Sequence, residues 1–68
     1  MRLDELINSR IDSEEITSDT MVIVQTDAEE TICALTASDL LDSDADCLSM
    51  EVFDSEIDDD ENLVVVVE

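Results

Sequence analysis

The chain sets 21 Asp and Glu against two Arg within 68 residues, with no His, Gly or Pro, for a formal net charge of -19. Without His or Lys there is no imidazole base, no Ser-His triad, no Schiff-base lysine and no phosphate-cradling lysine, and without Gly there is no P-loop or dinucleotide fingerprint. Carboxylate pairs can serve acid–base or two-metal chemistry, but only inside a concave site that so short a chain can hardly enclose, so neither enzymatic activity nor a cofactor is expected.

The predicted elements begin with Leu3, Leu6, Ile7 and Ile11, whose spacing marks one face of an amphipathic helix, with Asp4 and Glu5 in its first turn. Residues 12–19 are polar except Ile16 and read as a connection. Residues 20–26 and 30–36 are rich in β-branched side chains and lie three residues apart, which is hairpin spacing. Thr36 and Asp39 match a capping pattern before Leu40 and Leu41, predicting a short helical turn near residues 37–43. From Cys47 to Phe53 the alternation of Leu48, Met50 and Val52 with Ser49 and Glu51 predicts an edge strand. Residues 62–67 form the last strand, whose unbroken valines imply a central position or burial on both faces, with the N-terminal helix covering one side. The expected fold is a small single α+β domain, residues 1–68, with three or four mostly antiparallel strands.

With Gly and Pro absent, the turns fall to Asp, Asn, Ser and Thr, whose side chains bond the local backbone. Cys33 and Cys47 lack CxxC spacing and read as two small apolar core residues. Asp42, Asp44 and Asp46 copy positions 1, 3 and 5 of a calcium-binding EF-hand loop. The copy fails at Cys47, where that loop needs Gly, and at Phe53, where it needs a bidentate Glu, so no metal site is expected. The valine run behind Asp58, Asp59, Asp60 and Glu61 looks like a SUMO-interacting motif, but burial as a core strand is the simpler reading of the same residues. No signal peptide or membrane span is expected.

The charge remains to be explained. Duplex DNA carries one negative charge per roughly 1.7 Å of axis, and its binding proteins set Lys and Arg against it. Strand residues on one face lie about 7 Å apart and neighbouring strands about 4.8 Å apart, so carboxylates on a sheet and its rim approach phosphate-like spacing. The candidate partner-binding carboxylates are Asp27, Glu29 and Glu30 at the hairpin turn; Asp39, Asp42, Asp44 and Asp46; and Glu51, Asp54, Glu56, Asp58, Asp59, Asp60 and Glu61. Asp4, Asp12, Glu14 and Glu15 extend them along the helix, and Met50, Phe53 or Ile57 are candidates for an apolar anchor. An acidic surface is repelled by nucleic acid and by anionic lipid, so the natural partner is a basic protein.

In size, acidity and lack of enzymatic motifs the whole chain resembles the phage and mobile-element DNA-mimic inhibitors, among them small anti-CRISPR and anti-restriction proteins. The resemblance is compositional and carries over no family residues. It implies a protein that occludes the nucleic-acid site of a host defence protein, a CRISPR effector subunit before a restriction enzyme or nucleoid protein, in the cytoplasm of an infected prokaryotic host. Oligomeric state is left open. Two alternatives from other classes are a halophile-adapted acidic binding protein, resembling haloarchaeal proteins that exchange Lys for Asp and Glu, and an acidic antitoxin.

Overall fold

A computed structural model describes residues 1–68. A helix, α1 (Leu3–Asp12), precedes a hairpin of β1 (Met21–Thr26) and β2 (Thr31–Thr36); a short helix, α2 (Ala37–Asp42), and a 3₁₀ turn (Asp46–Ser49) lead to a second hairpin of β3 (Val52–Ile57) and β4 (Leu63–Val67). The sheet order is β2-β1-β4-β3. Both hairpins are antiparallel, and their inner strands β1 and β4 pair in parallel, which makes a mixed four-stranded α+β domain. No helix is long and apolar enough to cross a membrane.

Each element has a local cause. Leu3, Leu6 and Ile7 turn one face of α1 into the core, and the Arg2 backbone N–H donates to Glu5 Oε1 at 3.3 Å at the helix start. The Thr36 hydroxyl caps α2 by accepting the Asp39 N–H at 3.2 Å. The buried residues of β1 and β4 are Val22, Val24, Leu63, Val65 and Val67, which line the covered face of the sheet beneath Leu3, Leu6, Ile7, Ala37, Leu40 and Cys47. Ile16, within the connection after α1, is buried in the same cluster and pins that loop.

The strand expected over residues 47–53 is displaced: residues 46–49 form the 3₁₀ turn and the strand runs Val52–Ile57. Cys47 turns into the core while Leu48 and Met50 pack at its margin, so the alternation reflects a helical turn laid along the core and not a pleat. The chain around Met50 is held instead by the N-terminus, through Leu3 N–H to Met50 carbonyl at 3.1 Å and Val52 N–H to Met1 carbonyl at 2.8 Å. The last strand is central, as its valines imply, but it is not covered on both faces: Val64 and Val66 are half-buried while Val65 and Val67 are fully buried. Because β4 is paired on both sides, it has no free edge through which a SUMO-type strand addition would work.

The turns combine two devices. Thr26, Ser43 and Asp58 bond nearby backbone N–H groups as expected: Asp58 Oδ1 accepts from Asp60 and Asn62, each at 2.9 Å. The left-handed positions, however, fall on Glu14, Glu29, Asp44 and Glu61, with φ of 63°, 64°, 54° and 66°. Three of these four are Glu, a residue with no particular tolerance of that conformation, because a chain without Gly must place a Cβ there.

Candidate protein-interaction site

The cations are few and all engaged. The terminal amine pairs with Glu51 at 2.6 Å, Arg2 with Asp4 at 3.0 Å and Arg10 with Glu15 at 2.8 Å. Of the 21 side-chain carboxylates, 18 therefore have no cationic partner. The Arg10 guanidinium, then the Ser13 hydroxyl, hold the Glu15 carboxyl below its ordinary range, and Glu51 holds the terminal amine above its own. These pairs are exposed, so each contributes little to stability.

β1, β2 and β4 contain no acidic residue at all; the charge lies in the turns, the helical layer and β3. Asp27, Glu29 and Glu30 occupy the β1–β2 turn. Asp54 and Glu56 lie on β3, opposite Val66 and Val64 of β4, and so face the same side of the sheet as those two valines. Asp58, Asp59, Asp60 and Glu61 make the β3–β4 turn at the other end of the strands, beside Glu14 and Glu15. Asp39 and Asp42 lie on α2, Asp44 follows it and Asp46 opens the 3₁₀ turn, all four exposed on the helical layer, the opposite side of the sheet. Asp4 lies on that layer too, lining a shallow depression with Asn8 and Asp44, while Asp12 ends α1.

The candidate carboxylates are thus divided between the two sides of the sheet. Asp27, Glu29, Asp54 and Glu56 line a single open concavity of about 320 Å³, floored by Val64 and Val66 and walled by Phe53. From there the acids continue along β3 to the 58–61 turn, giving a band down one margin of the open face. Three predicted residues are engaged within the fold: Glu51 by the terminal amine, Asp58 by the turn it closes, and Asp54 through one oxygen, which accepts the Ser55 N–H at 2.8 Å. No three acidic or cysteine side chains converge as a metal ion would require, and this includes Asp42, Asp44 and Asp46. Cys33 and Cys47 are both free thiols, half-buried and buried; burial first, and then the neighbouring Cys33, push the Cys47 thiol up.

Among the candidate anchors, Met50 packs at the core margin, whereas Ile57 and Phe53 are 46% and 67% exposed. Phe53 is the only aromatic residue of the chain. It sits in a β-bulge, where the β3–β4 register shifts between Val52 and Asp54. Val64 and Val66 are not recognisable as site residues from the sequence, because a run of valines carries the same pattern whether its second face is covered or open; Gln25 of β1, which also lines the concavity, carries no signal at all. The surplus of large apolar residues over what so few covering elements can bury was the available signal. Comparison with known protein families, with curated proteins and with solved structures finds no match to this chain.

Proposed function

We propose that the protein is a non-enzymatic DNA mimic that occupies the cationic groove of a nucleic-acid-binding protein and excludes the nucleic acid. The observation that carries the reading is the band of unpaired carboxylates along the β3 margin, from Asp27 and Glu29 through Asp54 and Glu56 to Asp59, Asp60 and Glu61. Asp54 and Glu56, two apart on one strand face, are spaced by about 7 Å, and the turns that flank them are fixed by backbone hydrogen bonds such as Thr26 N–H to Glu30 carbonyl at 2.9 Å and Asp58 N–H to Asn62 carbonyl at 3.0 Å.

Along the 28 Å of the longest molecular axis, duplex DNA would present about 16 phosphates on its two strands, and the band offers seven carboxylates to a groove that contacts one side of such a duplex. Long-range attraction speeds encounter with a basic groove, and carboxylates that meet Arg side chains in bidentate pairs hold the complex once formed. The favoured target is a CRISPR effector module that reads the duplex next to its target through arginines, in the host cytoplasm; a restriction enzyme or nucleoid protein comes second.

The direct test is a mobility-shift assay with a purified, guide-loaded CRISPR effector complex and its labelled target duplex at 50 mM salt. Loss of the shifted band on adding the protein, with recovery when Asp54, Glu56, Asp59 and Asp60 are changed together to Asn or Gln, supports mimicry. An unchanged band at saturating protein, repeated for a restriction enzyme and a nucleoid protein, overturns it.

A second reading rests on the acids that lie off the band. Asp39, Asp42, Asp44 and Asp46 on the helical layer are what adaptation to molar salt would place there, as a hydrated shell with no partner. Circular dichroism against KCl separates the readings: a fold lost below molar salt favours the halophile, and a fold intact at 50 mM favours the mimic.

A further inference from the structure

We propose that the concavity on the open face is a seat for an arginine side chain of the partner, with the guanidinium over the ring of Phe53, the methylene stem on Val64 and Val66, and the charged head between Asp54, Glu56 and the hairpin-turn carboxylates Asp27 and Glu29. This rests on the reading of the protein as a binder of basic grooves, and it names where on the surface the affinity is concentrated.

Phe53 carries the argument. Burying a phenylalanine contributes about 1.5–3 kcal/mol, and this chain has only one aromatic residue to bury. The fold leaves it 67% exposed. Alternation from Val52, which lies opposite the buried Val67, turns Phe53 to the open face, and the bulge between Val52 and Asp54 sets Asp54 on that same face beside it. Its neighbours there are apolar at the floor and anionic at the mouth. That arrangement matches a group that is planar, cationic and carried on an aliphatic stem, which is arginine; the compact, strongly hydrated lysine ammonium uses a ring face less well. Arginine is also among the residues enriched at interface hot spots.

Other occupants fit less well. A second copy of this chain would bring 19 further net negative charges to the same face. A metal ion needs convergent ligands that these four carboxylates do not form. At about 320 Å³ the depression lies at the small end of ligand pockets, which run to about 1,000 Å³, and it is open to solvent, so it accepts a side chain in preference to an enclosed small molecule.

The test is a methyl and aromatic NMR titration of the labelled protein with hexa-arginine and with hexalysine at 50 mM salt. Hexa-arginine is expected to shift Phe53, Val64 and Val66 before Leu41 and Leu48 of the helical layer. Phe53→Leu, which keeps an apolar group but removes the ring, should weaken hexa-arginine about three- to five-fold, the size of an exposed cation–π contact, and leave hexalysine nearly unchanged; Phe53→Trp should retain the arginine preference. Equal shifts on both layers, or the same arginine affinity in Phe53→Leu, overturn the proposal. The two readings fail separately. If Phe53→Leu displaces duplex from the effector as well as the parent protein does, the seat is wrong and mimicry stands. If the arginine preference depends on Phe53 but no nucleic-acid-binding protein releases its duplex, the seat stands and mimicry is wrong.

Discussion

The two faces of one sheet differ more than their sequences do. On β4, Leu63, Val65 and Val67 are 1%, 0% and 1% exposed beneath the helices, while Val64 and Val66, of the same chemistry and one residue away, form the floor of an open surface. Period-two alternation assigns them to opposite sides, and three short helical segments can cover only one. The covered face holds the fold together. The open face keeps a small apolar centre, a displayed ring and a margin of carboxylates, which is the make-up of an interaction surface with an apolar middle and a polar rim.

The sharpest way to break that comparison is to change adjacent residues. Leu63→Ala should cost about 3 kcal/mol, the middle of the range for deleting a buried leucine, and Val64→Thr less than about 0.5 kcal/mol; urea unfolding of the two variants measures both. A domain of this size is stable by only about 3–10 kcal/mol, so Leu63→Ala should remove about a third or more of that stability. Equal effects would mean the open face is covered in solution.

The turns come next. At Glu14, Glu29 and Glu61, Gly should be more stable than Ala by about 1 kcal/mol per site, since both remove the charge and only Gly relieves the left-handed Cβ. Matched Gly and Ala variants followed by thermal denaturation isolate the conformational part from the loss of repulsion. Asp58→Ala should destabilise by about 1 kcal/mol through loss of its bonds to the Asp60 and Asn62 N–H groups, and Asp58→Asn, which can still accept them, by less. Asp59→Asn and Asp60→Asn should leave stability unchanged or slightly raised by relief of repulsion and weaken partner binding, a contrast that separates the one structural carboxylate of the run from its neighbours.

The smallest effect concerns pH. Arg10, with help from Ser13, holds the Glu15 carboxyl below its ordinary value of 4.5, so the pair contributes above that value and its contribution is lost as pH falls through the lowered one. Melting curves of the parent protein and Glu15→Gln should differ slightly at neutral pH and converge at the acid end.

How much of this the sequence disclosed follows from which signals are local. The α1 helix, the first hairpin and the Thr36 cap are encoded by periodicity and by side chains that bond their own backbone, and they stand where expected. β3 was misplaced because Asp54, Ser55 and Glu56 are poor strand formers held in the ladder by pairing with β4, a long-range cause that no local pattern carries. The same holds for the site: the acids were visible as residue types, but which of them share a surface depends on the strand order. Sheet order brings the β1–β2 turn to β3 and leaves Asp39, Asp42, Asp44 and Asp46 on the other side. Phe53 is recognisable as a candidate anchor by composition, but the company it keeps on the open face depends on the bulge and on strand order.

The most direct measurement of the central claim is the equilibrium affinity for a guide-loaded CRISPR effector complex as a function of salt, with labelled target duplex as competitor. Mimicry predicts mutually exclusive binding of protein and duplex, and an affinity that falls steeply and linearly with salt on logarithmic axes, as duplex binding itself does. A ternary complex of effector, duplex and this protein, or an affinity indifferent to salt, would contradict it.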